Sequence, residues 1–140
     1  MRRALLLIAT LACPLIAAGC QTSDNTLPNV TATPVPMPET FTGTVAKGGL
    51  DFKNFTVMVS GNISVTLTTI SPNPAVAVEL GVGTPSTTTC ALLSGGVAPA
   101  ALAGTTAQLS GALTAGNYCV QVRDSQNLGP LAYSVTVVHP

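Results

Sequence analysis

From Phe41 onward the chain is a series of short runs in which every second residue is apolar, broken by Gly, Pro and Asn. Successive side chains on a strand point to opposite faces, so a period of two predicts strands with one face in a core. The pattern predicts strands at residues 41–45, at 51–59 with Phe55, Val57 and Val59 on one face, and at 63–67 with Ile63, Val65 and Leu67 on one face. Four more follow at 75–82, 87–93, 108–113 and 132–138. In residues 117–123, Tyr118, Val120 and Val122 point one way and Asn117, Cys119, Gln121 and Arg123 the other, which predicts a half-buried strand with a cysteine on its polar face.

Ser60-Gly61-Asn62 predicts a tight turn that makes a hairpin of the second and third strands, because Gly and Asn accept the positive φ that such turns need. Residues 95–104, GGVAPAALAG, hold neither period and are expected to form a loop or one short helical turn. No segment of the domain keeps a period of 3.6 for about ten residues, which argues against helices. About eight short strands at this spacing imply an all-β fold: a single antiparallel β-sandwich, jelly-roll-like, over residues 40–140. Phe41-Thr-Gly-Thr-Val45 is faintly echoed by Leu109-Ser-Gly-Ala-Leu113, as two similar approaches to a hairpin would be.

The first 39 residues follow different rules. Met1-Arg2-Arg3 is a basic start, residues 4–18 are apolar, and Ala17-Ala18-Gly19 precede Cys20, as in a secretory signal peptide over residues 1–19. The apolar run is shorter than the ~20 residues a spanning helix needs. Leu15-Ile-Ala-Ala-Gly-Cys20 resembles the lipobox of bacterial lipoproteins, which implies lipidation of Cys20 and anchoring of the exported chain at the cell envelope. Several acyl chains on one cysteine hold a protein where a single chain binds only reversibly. Gln21 rather than Asp after the cysteine implies the outer membrane if the cell is Gram-negative. Residues 20–39 are rich in Pro, Thr and Asn without apolar periodicity, and read as a flexible tether.

Composition narrows the chemistry. Apolar residues make up 46% of the chain but aromatics only 4%, so a core must be built from Val, Leu and Ala. Without the leader's two arginines, three cations face five carboxylates, a net charge near −2 that leaves no footprint for nucleic acid. Of the four cysteines, Cys13 leaves with the leader and Cys20 is the lipidation site, so Cys90 and Cys119 are expected to form a disulfide in an oxidising compartment. Asn29, Asn54 and Asn62 sit in glycosylation-type triplets that chance explains in a Thr-rich chain with a bacterial leader.

Catalysis needs a nucleophile, a base and a group to orient it. The sole histidine, His139, lies next to the end, where chains fray. Asp51, Glu79 and Asp124 are expected at strand ends and turns, Arg123 beside Asp124 offers a local pair of little worth, and Tyr118 and Tyr133 alternate with valines as core residues do. Two cysteines and one histidine are too few for a metal site, and no catalytic, cofactor-binding or metal residues are assigned.

FTGTVAKGGLDFKNFTVMVSGNISVTL, AVELGVGTP, LTAGNYCVQVRD and AYSVTV together resemble the bacterial pre-peptidase C-terminal domain, a small β-sandwich appended to exported proteins. Asp51-Phe52 with Phe55 is similar to the family's first acidic-aromatic strand, and Ala115-Gly-Asn-Tyr118 to its late turn and strand. Where the family often carries an acidic pair before its middle strand, this chain reads Asn73-Pro-Ala-Val-Ala-Val. The expectation is a non-enzymatic, lipid-anchored module whose partners are the membrane and an envelope protein or glycan. The alternative is a carbohydrate- or calcium-binding module.

Overall fold

The computed structural model describes residues 33–140, so the leader, Cys20 and most of the tether lie outside the described residues. It contains eight strands: β1 (Met37–Val45), β2 (Leu50–Val57), β3 (Gly61–Ser71), β4 (Val78–Pro85), β5 (Cys90–Ala101), β6 (Leu109–Leu113), β7 (Gly116–Arg123) and β8 (Leu131–His139). They form two antiparallel four-stranded sheets, ordered β1-β8-β3-β6 and β2-β7-β4-β5, which we term sheets A and B. The architecture is a β-sandwich, as the alternation predicts. Val65, Leu67, Val135 and Val137 of sheet A meet Val78, Leu80, Val120 and Val122 of sheet B in the core, each essentially inaccessible. Full burial of such a side chain stabilises by about 1.5–3 kcal/mol relative to exposure, so this interior dominates the fold.

The expected hairpin between the second and third strands does not occur. β2 pairs with β7, whereas β3 pairs with β6 and β8, so the short connection at residues 58–60 carries the chain from one sheet to the other. Both strands have an apolar face, and burying each against the other across a gap of about 10 Å satisfies the pattern as well as lying side by side would. Ser60 Oγ accepts a hydrogen bond from Ala115 N at 3.0 Å, tying this corner to the β6–β7 corner. β4 and β5 are the consecutive pair that does form a hairpin, closed by Ser86 N donating to Thr89 O at 2.8 Å.

Four further expectations are corrected. β1 begins at Met37, inside the segment read as tether, because its first residues pair with the end of β8. Residues 95–101 belong to β5 rather than to a loop or helical turn: the register slips between Gly81↔Val97 and Gly83↔Leu92, and the extra residues, with Gly95 at φ 76°, hide the alternation. β7 is not half-buried, since Cys119 and Gln121 are enclosed as fully as its core-facing residues. Side chains of β5 lie over the neighbouring glycines of β4. A Cβ on Gly81 would lie 2.5 Å from Leu92 Cδ2, and one on Gly83 would lie 2.9 Å from Cys90 Sγ. Lastly, His139 does not fray. It is the final residue of β8, 4% exposed, with its ring 5.6 Å from that of Phe55.

Candidate functional site

The disulfide expected from cysteine counting is present: Cys90 and Cys119 are bonded with their Cα atoms 5.9 Å apart. They belong to strands on either side of β4, and the bond crosses the outer face of sheet B above Gly83, where any larger residue would collide with it. Cys20, the candidate lipidation site, lies outside the described residues.

The titratable residues are dispersed, and two of the carboxylates, Asp124 and Asp51, are engaged in holding the fold. Asp124, 1% exposed, accepts hydrogen bonds from four backbone amides. Oδ2 takes Gly48 N at 3.0 Å, Leu128 N at 2.9 Å and Gly129 N at 3.4 Å, and Oδ1 takes Gln126 N at 3.2 Å. The Gly48 amide above all, aided by the other three against the cost of burial, holds this carboxyl below its ordinary value of 3.8. Asp124 thus binds the β1–β2 turn to the β7–β8 loop instead of pairing with Arg123.

Asp51 lies where the edges of the two sheets meet. Its Oδ2 accepts from Tyr133 Oη at 2.9 Å and lies 3.1 Å from Lys53 Nζ. Burial, and then the hydrogen bond to Asp51 and its charge, push the Tyr133 phenol well above its ordinary 10.0, which keeps it a donor. Tyr133 and Tyr118 are core residues, as their alternation with valines predicts. Glu79 stands in register with Arg123 on sheet B. His139 Nε2 lies 3.2 Å from Glu39 Oε1 without the alignment of a hydrogen bond, and Nδ1 is 3.3 Å from Pro140 O. Among the described residues no group of three or more His, Cys, Asp or Glu side chains is placed to hold a metal ion.

The larger concavity lies elsewhere, on the outer face of sheet A. It is a groove of about 610 Å³ lined by Thr66, Thr68, Thr69, Ile70, Pro74, Ala103, Gly104, Thr105 and Thr136. Its floor follows from a β-bulge: the register between β3 and β8 shifts between Leu67 and Thr69, so Thr68 is an extra residue and Leu67 and Ile70 both face the core. Three threonines in four positions are thereby left on or beside the outer surface. One row crosses three strands in register, Thr40, Thr136 and Thr66, with the first two hydroxyls 3.1 Å apart.

The far wall of the groove depends on Gln108. Gln108 N donates to Val65 O at 3.0 Å, continuing the ladder between β3 and β6. One step on, its side chain takes the place of backbone: Oε1 accepts from Leu67 N at 2.7 Å and Nε2 donates to Leu102 O at 2.8 Å. The backbone is then free to swing outward through residues 103–105, pinned by Gly104 N donating to Leu67 O at 2.9 Å.

No family model and no curated protein matches this chain. Its chemistry is therefore read from its own geometry. The groove carries hydroxyls, methyls and no charged side chain. Thr68 Oγ1 is spent on Ser134 O at 3.0 Å and Thr136 Oγ1 on Thr40, while among the described residues Thr66, Thr69 and Thr105 hydroxyls have no intramolecular hydrogen bond. Each free hydroxyl can both donate and accept. Such a surface can bind a neutral polar ligand. None of these threonines stands out in the sequence as a site residue. Their signal was in the chain as Thr at alternate positions opposite the apolar ones, a pattern that ordinary β-propensity also produces. A second, smaller cleft of about 190 Å³ opens between the edges of β5 and β6, with Ile63, Val82, Leu93 and Leu109 in its lining.

Proposed function

We propose that this chain is an exported lipoprotein, anchored by acyl chains on Cys20, whose β-sandwich serves as a non-catalytic interaction or accessory module at the cell envelope. The observation that carries this reading is the Cys90–Cys119 bond in a chain that begins with a signal-like leader. Persistent disulfides belong to oxidising compartments, and LIAAGC supplies the means of retention there. The commitment of Asp51, Asp124 and the cysteine pair to structural contacts supports a binding role over a chemical one. The resemblance to pre-peptidase C-terminal domains points the same way, to an accessory unit, with the tether holding it off the membrane.

Replacement of Cys20 by Ala tests the anchor. The parent chain is expected in the membrane fraction and the Cys20→Ala chain among the soluble exported proteins, with a mass that lacks the acyl groups. Equal membrane association of both chains would refute lipid anchoring.

A further inference from the structure

We propose that the groove on the outer face of sheet A binds an uncharged oligosaccharide of two or three sugar rings. The inference rests on reading the domain as an interaction module and assigns that module a ligand class. Charge comes first. No Asp, Glu, Lys or Arg lines the groove, so nothing in it neutralises an anionic or cationic ligand or compensates for its desolvation. A peptide would bring backbone groups that need the regular partners of a sheet edge, and along the groove β3 is paired with β8 on one side while Leu67 N and Leu67 O are taken by Gln108 Oε1 and Gly104 N on the other.

The remaining chemistry is that of a sugar. Thr66, Thr69 and Thr105 offer hydroxyls of either hydrogen-bonding sense from two separate segments of chain, which suits a ligand that is itself a ring of hydroxyls. The Pro74 ring, the Ala103 methyl and the threonine methyls supply apolar contact for sugar C–H faces in place of an aromatic platform. A volume of about 610 Å³ falls within the ~300–1,000 Å³ of small-ligand sites. Without an aromatic stack the binding is weak for one ring and gains with each further ring, as suits a polymer.

Gly104 gives the test a lever. It lines the groove, and a Cβ there meets nothing within 4 Å, so Gly104→Leu adds bulk at the groove wall without a clash at its Cβ. The experiment measures binding of chitotriose, cellotriose and maltotriose to the full chain by saturation-transfer NMR and calorimetry, with trigalacturonate as the charged control. Circular dichroism and thiol titration verify that each variant is folded and oxidised. At least one neutral trisaccharide is expected to bind, with an affinity unchanged between about 0.05 and 0.5 M salt. The Thr66→Val, Thr69→Val, Thr105→Val triple variant is expected to bind about tenfold or more weakly, as loss of several modest hydrogen bonds implies. Gly104→Leu is expected to abolish binding. No binding of any neutral trisaccharide, affinity retained in both variants, or tighter binding of trigalacturonate would overturn the proposal. The arms separate the two readings: loss of the Cys20→Ala chain from the membrane together with no sugar binding sinks the glycan and keeps the anchored module. Sugar binding with no dependence of localisation on Cys20 does the reverse.

Discussion

Asp124 shows how far a single residue's role can lie from its sequence signal. In the chain it is a charged residue at a strand end next to Arg123; in the fold it is a buried acceptor for amides at positions 48, 126, 128 and 129. Of those partners only Gly48 is distant in the chain, and no local pattern announces it. Because its folded value is depressed, its contribution to stability is fully present above the ordinary value near 3.8 and is lost as pH falls through the folded value. Replacing it with Asn removes one charged acceptor for those amides. Urea denaturation is therefore expected to find Asp124→Asn less stable than the parent at neutral pH, with the difference shrinking progressively below about pH 4. A constant difference across that range would contradict the assignment. By contrast, Tyr118 and Tyr133 were legible in advance, since alternation with valines is a purely local statement of which face a side chain takes.

At the scale of elements, strand existence was legible and pairing was not. The runs around Val65 and Val135 alternate cleanly because each strand lays one face on the core and the other on the surface. β5 escaped recognition beyond Leu93 because two register irregularities interrupt its period of two. The Ser60-Gly61-Asn62 signal marks a reversal of direction, yet a reversal within a sheet and one between sheets require the same residues. The echo between Phe41–Val45 and Leu109–Leu113 acquires a structural meaning on these terms. β1 and β6 are the two edges of sheet A, and each is followed by a short passage into sheet B, to β2 and β7, which pair with one another. The groove wall is another element-level construction, in which one side-chain amide stands in for a missing strand. Gln108→Ala leaves Leu67 N and Leu102 O without partners, and chemical denaturation is expected to register a loss of about 1–2 kcal/mol. Gln108→Glu retains the acceptor for Leu67 N and is expected to lose less.

For the whole molecule, the disulfide joins positions 29 residues apart and spans a strand rather than a turn. By chain entropy its removal in a Cys90→Ala, Cys119→Ala double variant is expected to cost about 3.5 kcal/mol, measured by denaturation against the oxidised parent. A small domain with few aromatics depends on such a link, since net stabilities are only about 5–15 kcal/mol.

The pairing scheme also dictates a schedule. Among the described residues β1 has β8 as its partner strand, and β2 has β7. A chain that emerges N-terminal end first, at about 5–20 residues per second during synthesis, can close the β4–β5 hairpin early and little else. β1 and β2 wait, unpaired, until β7 and β8 have been made. The domain therefore stays open until both are complete, and a chain threaded through a narrow channel before then would arrive still unfolded on the other side.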